Sequence, residues 1–188
     1  MSFKRIFWTL LLTLLLANQT ALASEKSDSN KKSKKTQQKD EAASKALVSV
    51  GELAPDFTVT DTENKEFKLS NEKGHLVVVD FFATWCPPCR AELPQLEKKV
   101  WQRYQDKGLK VVLVGREHDV NELKEFKQKQ EISMQVTADP KREVFAKYAK
   151  NEIPRTFVVD KDGKVLFESV GYDKAEFRKM TKLIANSL

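Results

Sequence analysis

The chain is expected to fold as an α/β protein: a mixed central sheet flanked by helices, with an added N-terminal β-hairpin. Three observations carry this expectation. Two nearly continuous apolar runs, 76–82 and 109–114, read as strands covered on both faces. Between them, Leu93, Leu96, Val100 and Tyr104 recur at helical spacing until Gly108, so the two strands are joined by a helix and lie parallel. Downstream, 156–159 and 165–169 flank Lys161-Asp162-Gly163-Lys164, a hairpin turn signal that makes this pair antiparallel and the sheet mixed.

The elements follow in order. Residues 57–60 and 66–69 alternate around the turn Glu63-Asn64-Lys65 and form the added hairpin. Asn121 is the expected N-cap of a helix through Gln130, with Leu123 and Phe126 on its apolar side. Residues 134–137 form a short strand. Asp139-Pro140 reads as N-cap and first helical residue, opening a helix that turns Val144, Phe145 and Tyr148 inward. Asp173 caps a last helix carrying Phe177, Met180, Leu183 and Ile184 on one side.

This domain is expected to occupy residues 47–188, enough chain for one real core. Two other materials precede it. In residues 1–23, Lys4 and Arg5 lead an apolar run at 6–16, and Ala21-Leu22-Ala23 has the small-x-small pattern of a signal peptide cut after Ala23. An uncleaved anchor is the alternative, but the run is shorter than the ~20 residues of a membrane span. No cysteine lies near the cut to carry a lipid. The exported chain would work in a periplasmic or otherwise extracytoplasmic, oxidising space.

Residues 24–46 are rich in Lys, Ser, Gln, Asp and Glu and poor in anything that could be buried, so they read as a disordered spacer. Residues 1–46 hold nine Lys/Arg and four Asp/Glu, a net +5 of the chain's +6. The remaining 24 basic and 23 acidic residues nearly cancel, so the basic pI is no nucleic-acid footprint. A monomer is expected, because nothing in the sequence demands assembly.

Both cysteines fall in Trp85-Cys86-Pro87-Pro88-Cys89. Closing so short a loop stabilises by at most about 2 kcal/mol, which makes reversible redox chemistry a better reason for the pair than stapling. Cys86 stands where a buried strand gives way to a helix. Unpaired N–H groups and the helix dipole favour a thiolate there, so Cys86 is the expected nucleophile. Cys89, one turn in, is the resolving thiol that would close the Cys86–Cys89 redox disulfide. Pro87 and Pro88 lack N–H groups and thin out the donors around the sulfur, and Trp85 would cover the site as an apolar platform. Asp80 is the only acid inside the first long strand, where burial would raise its pKa and suit it to take the proton of Cys89. Glu92 is a weaker candidate, with a Lys or Arg as its alternative partner.

With those residues in place, the domain resembles the thioredoxin fold and, within it, the exported TlpA/ResA-like thiol:disulfide oxidoreductases. The matching segments are Ala54-Pro55-Asp56-Phe57, the run from Phe81 through Cys86 and Cys89 to Pro94, and Ile153-Pro154-Arg155-Thr156-Phe157 with Val158-Val159-Asp160-Lys161-Asp162-Gly163. The resemblance implies that Pro154 is a cis-proline facing the disulfide, that the backbone of Ile153 pairs with substrate, and that Pro94 kinks the active-site helix. It implies no cofactor. Partners would be exported proteins with thiols or disulfides, and a membrane thiol-electron donor. The chain departs from many relatives in its Pro87-Pro88 pair, in the charge of Arg155 beside Pro154, and in having an acid at Asp80.

The absence of a histidine between the cysteines favours a reductant over a disulfide-forming oxidant. A thiol peroxidase on the same fold is a further alternative, disfavoured because Val79, where a proline is needed, precedes Thr84 by five residues. A copper-binding protein is the remote one. His75 and His118 are the only histidines; neither is spaced as a ligand with the cysteines, and both are expected to be solvated, so no metal site is expected.

Overall fold

A computed structural model of the chain describes residues 46–188. The expected signal peptide and all of the expected spacer except Ala46 lie outside the described residues. Ala46 itself is buried and bridges Ala149.

A hairpin of β1 (Thr58–Thr60) and β2 (Glu66–Lys68) precedes a five-stranded sheet. That sheet contains β3 (Val77–Phe82), β4 (Lys110–Arg116), β5 (Gln135–Asp139), β6 (Arg155–Val159) and β7 (Val165–Val170), in the spatial order β5-β4-β3-β6-β7. β3, β4 and β5 run parallel, and β6 and β7 join antiparallel, which gives the mixed sheet. All six residues of β3 are buried, as its unbroken apolar run requires of a central strand.

The helices follow from the connections. From β3 to β4 to β5 the chain steps in one direction across the sheet, so two right-handed crossovers put both helices on the same face. These are α1 (Pro87–Leu96) and α3 (Val120–Lys129); the C-terminal α5 (Lys174–Ser187) joins them. Cys89, Leu93 and Leu96 of α1, Leu123 of α3, and Phe177, Met180 and Ile184 of α5 share a core with Val78, Leu113 and Val158. On the opposite face, Phe57, Val59 and Phe67 of the hairpin pack with Phe145 and Tyr148 of α4 (Phe145–Tyr148) against Val79, Phe81 and Phe157.

Three expected elements differ in detail. The helix after the cysteines begins at Pro87 and changes character beyond Pro94, which has no N–H to give to the preceding turn. A π-helical turn at Glu97–Trp101 and the short α2 (Gln102–Tyr104) complete it. Asp119, not Asn121, caps α3, accepting the Glu122 N–H at 2.9 Å. Asp139 ends β5 rather than opening a helix. Its buried carboxylate instead accepts the N–H groups of Val144 and Phe145, at 3.2 and 2.8 Å, and the helix there shrinks to the four residues of α4.

Gly115 of β4 sets how closely α3 approaches the sheet. A Cβ built there would sit 2.7 Å from both methyl carbons of Leu123, which is fully buried and has nowhere to go. Gly115→Ala should therefore cost about 1–3 kcal/mol through overpacking, read as a lower denaturant midpoint with unchanged slope. In a Leu123→Ala background that cost should vanish; the same cost in both backgrounds would show that this contact is not its source.

Candidate active site

The site is assembled where β3 stops. After Phe82 the chain makes a tight turn in which Cys86 N–H donates to Ala83 O at 3.1 Å, and Cys86 becomes the N-cap of α1. Because Pro87 and Pro88 occupy the first two helical positions, the first amide free to reach the cap is that of Cys89. It donates to Cys86 Sγ at 3.3 Å. Cys86 and Cys89 are joined as a disulfide, with a Cα–Cα distance of 5.3 Å. Both are buried, Cys89 completely. Trp85 projects outward with 60% of its surface exposed, and the Arg116 guanidinium lies 5.9 Å from its ring centroid.

β6 supplies the opposite wall. Its antiparallel register pairs Asp80 with Thr156 and Phe81 with Arg155, so the chain entering β6 passes the chain leaving β3. The Ile153–Pro154 peptide in that entry is cis, and Ile153 O lies 3.8 Å from Cys86 Sγ. A disulfide sulfur has no proton to donate, so this is a contact and not a hydrogen bond in the oxidised protein. Arg155 does not face the cysteines. Strand alternation turns it away from Thr156 and into the sheet's other side, where burial lowers its pKa and the charges of Glu168 and Glu152 offset that only in part.

Beneath the disulfide the structure gathers two acids, not one. Asp80 and Glu92 are both buried and both reach Thr156 Oγ1, at 3.0 and 3.3 Å. Glu92 is therefore no surface partner of a Lys or Arg; it faces inward, one turn beyond Cys89. The periodicity that puts Cys89, Leu93 and Leu96 on the buried side of α1 also puts Glu92 there, and this is the sequence signal for it. A threonine hydroxyl owns one proton. It can donate to one carboxyl only and can accept from the other only if that one is protonated.

The remaining oxygens, Asp80 Oδ2 and Glu92 Oε2, are buried without partners among the described residues. Burial raises Asp80 from 3.8 to about 7, against the opposing Thr156 hydrogen bond. Burial first, and then the charge of Asp80, raise Glu92 from 4.5 to about 9. The two titrate as a pair that holds a proton near neutrality.

The histidines part company. His75 is exposed, with Nδ1 3.1 Å from Gly108 O. His118, expected in solvent, is instead buried between the turn at Thr84 and the start of α3. A charged neighbourhood in sequence, Glu117 and Asp119, conceals this, because only the tertiary packing of α3 closes over the ring. Among the described residues no group of three or more His, Cys, Asp and Glu side chains converges as a metal cage.

The raised pair fixes the sign of a pH effect. Groups raised on folding leave the native state holding more protons than the unfolded chain, so stability falls as pH rises, here from about pH 4 up to about pH 9. Asp80→Asn should consequently be more stable than the parent at pH 8, on the order of 3 kcal/mol, with the difference fading toward pH 4. Denaturant unfolding across that range checks it, and a constant difference would refute the assignment.

Comparison with known proteins agrees with this geometry. A family model described as the AhpC/TSA family matches residues 50–167. Thiol-disulfide oxidoreductase ResA of Bacillus cereus is 31% identical over 134 residues, covering 71% of this chain and 77% of the relative. ResA of Bacillus subtilis is 31% identical over 124 residues, covering 66% and 69%. Among solved structures, a candidate protein disulfide isomerase from Bacteroides thetaiotaomicron superposes with a TM-score of 0.74 at 32% identity, over 76% of this chain and 92% of that one. A candidate thiol:disulfide interchange protein DsbE from Chlorobium tepidum gives 0.68 at 30%, over 74% and 98%. A disulfide at the start of a helix, on a five-stranded mixed sheet shared with these proteins, is thus explained by descent: the chain belongs to the AhpC/TSA family and, within the thioredoxin superfamily, to the ResA-like thiol-disulfide oxidoreductases.

Proposed function

We propose that this oxidoreductase works outside the cytoplasm as a reductant of disulfides in exported proteins, with Cys86 as the attacking sulfur and Cys89 as the resolving one. The observation that carries the reading is the Cys86–Cys89 disulfide itself, which faces Ile153 O across one contact and has a buried acid pair one turn behind it. In the dithiol form, Cys86 thiolate attacks a substrate disulfide, forming a mixed disulfide and releasing one substrate thiolate. Cys89 then gives its proton to the Asp80–Glu92 pair and attacks Cys86 Sγ. That step expels the second substrate thiolate and closes the Cys86–Cys89 disulfide; two electrons have passed to the substrate. A membrane thiol donor returns the protein to the dithiol.

Direction is argued from donors. With Pro87 and Pro88 in place, one amide alone among the described residues, that of Cys89, reaches Cys86 Sγ. A sparsely stabilised thiolate makes the dithiol the better electron donor. Ile153 and Pro154 serve as the docking wall, and exposed Trp85 with the Pro87-Pro88 edge meets the substrate's flanks. Export rests on the leader at residues 1–23, and residues 24–46 act as a spacer carrying the basic excess.

Three outcomes follow. The reduction potential should fall nearer the ≈ −270 mV of a reductant than the ≈ −120 mV of a strong oxidant, measured by equilibration with a thiol buffer. Purified Cys89→Ala should accumulate mixed disulfides through Cys86 with exported proteins, whereas Cys86→Ala should trap none. The secreted protein should begin at Ser24 by N-terminal sequencing; retention of Met1 in a membrane fraction would replace cleavage with an anchor.

A further inference from the structure

His118 has no part in the chemistry above, yet it is only 3% exposed and its ring touches the turn that carries Cys86. Thr84 N–H donates to His118 Nε2 at 3.0 Å. A ring nitrogen that accepts an N–H carries no proton, so the ring's proton is on Nδ1. Nδ1 lies 2.8 Å from Glu122 Oε2, a close polar contact that falls short of hydrogen-bond geometry, and the other oxygen, Oε1, is 3.4 Å from Thr84 Oγ1. His118 and Glu122 thus hold one residue of the turn, at its backbone and at its side chain.

The surrounding structure is built to bring them there. β3 and β4 run parallel with Phe82 opposite Gly115, so the chains leaving both strands emerge side by side. Glu117, between β4 and His118, adopts φ 65°, a left-handed conformation that costs a non-glycine residue free energy. That turn precedes the inward-facing ring. Asp119 then caps α3 through Glu122 N–H, which fixes the carboxylate behind His118, and the glycine at 115 lets α3 come down close enough.

We propose that His118, oriented by Glu122, is a positioning residue for the disulfide-exchange reaction. By accepting the Thr84 amide it fixes the turn that places Cys86 Sγ against the Cys89 amide and Ile153 O. Only three residues separate β3 from Cys86, and the single hydrogen bond within that turn, Cys86 N–H to Ala83 O, begins on the other side of Thr84. Thr84 is the residue whose anchoring decides where the sulfur sits. The inference rests on Cys86 being the attacking thiol.

The test uses the purified, fully reduced protein, alkylated with iodoacetamide at one pH, with peptide mapping to separate Cys86 from Cys89. His118→Leu should slow labelling of Cys86 about five-fold, the worth of one net hydrogen bond, and His118→Gln, whose side-chain oxygen can accept where Nε2 does, should restore it to within about two-fold. Labelling of Cys86 at the parent's rate in His118→Leu overturns the inference and leaves the roles of the cysteines standing. So does a Gln variant as slow as the Leu variant with parent-like melting, since shape and not the acceptor would then matter. Labelling of Cys89 before Cys86 in the parent overturns the cysteine roles and this inference with them. Should His118→Leu fail to fold, Glu122→Ala carries the test, because Glu122 is half exposed and lies outside the core. Slower Cys86 labelling supports the orienting carboxylate, and an unchanged rate overturns it.

Discussion

The constraint on which the site depends is the register of β3 between its two neighbours. Phe82 pairs with Gly115 on one side and Phe81 with Arg155 on the other, so the segments leaving β3, leaving β4 and entering β6 all meet at one end of the sheet. Those segments carry Cys86, His118 and Pro154. Since β3 is buried on both faces, its register is strongly held: a slip of one residue would turn Asp80 out of the α1 side and drive Val79 or Phe81 into its place. Hydrophobic packing on two faces, to which Cys86 and Cys89 themselves belong on one side, thereby positions the polar groups of the site.

Against that rigid frame stands a costly interior. Two carboxyls in one apolar layer, sharing one hydroxyl, leave two oxygens without partners. Such an arrangement does not serve stability, since an apolar pair of similar volume would serve it better. On the proposed function its sense lies in the other term of the trade: a carboxyl whose pKa has been lifted toward that of a thiol can exchange a proton with it at little cost. Thr156 moderates the penalty without removing it, because its bond to Asp80 lowers the pKa while burial raises it more.

How much of this the sequence discloses depends on whether the cause is local. The central strands announce themselves because burial on both faces leaves a continuous apolar run, and Cys86 announces itself because strand end and helix start are both local events. Asp173 is readable as a cap for the same reason, its carboxylate accepting the Ala175 and Glu176 amides just ahead of it. Asn121 and Asp139 mislead because several polar residues there could cap, and the choice falls to the packing of α3 and to the turn around Arg142, at φ 59°. His118 misleads for a stronger reason. Its burial is made by residues 34 positions away and by a helix that follows it, so no window around it contains the cause.

On the proposed function, the reactivity of the pair follows from what the helix start withholds. An ordinary helix offers a capping sulfur several amides, but here two of them are prolines and one amide remains, at 3.3 Å. With so few donors, a small displacement of Cys86 removes a large share of the stabilisation it receives. A site rich in donors could tolerate a loose turn. One with a single donor cannot, and this is a physical reason for Thr84 to be held from behind at both its amide and its hydroxyl. The Pro87-Pro88 pair and the buried His118 are, on this account, two parts of one arrangement: the first lowers the electrostatic support of the thiolate, and the second secures the geometry through which the remaining support acts.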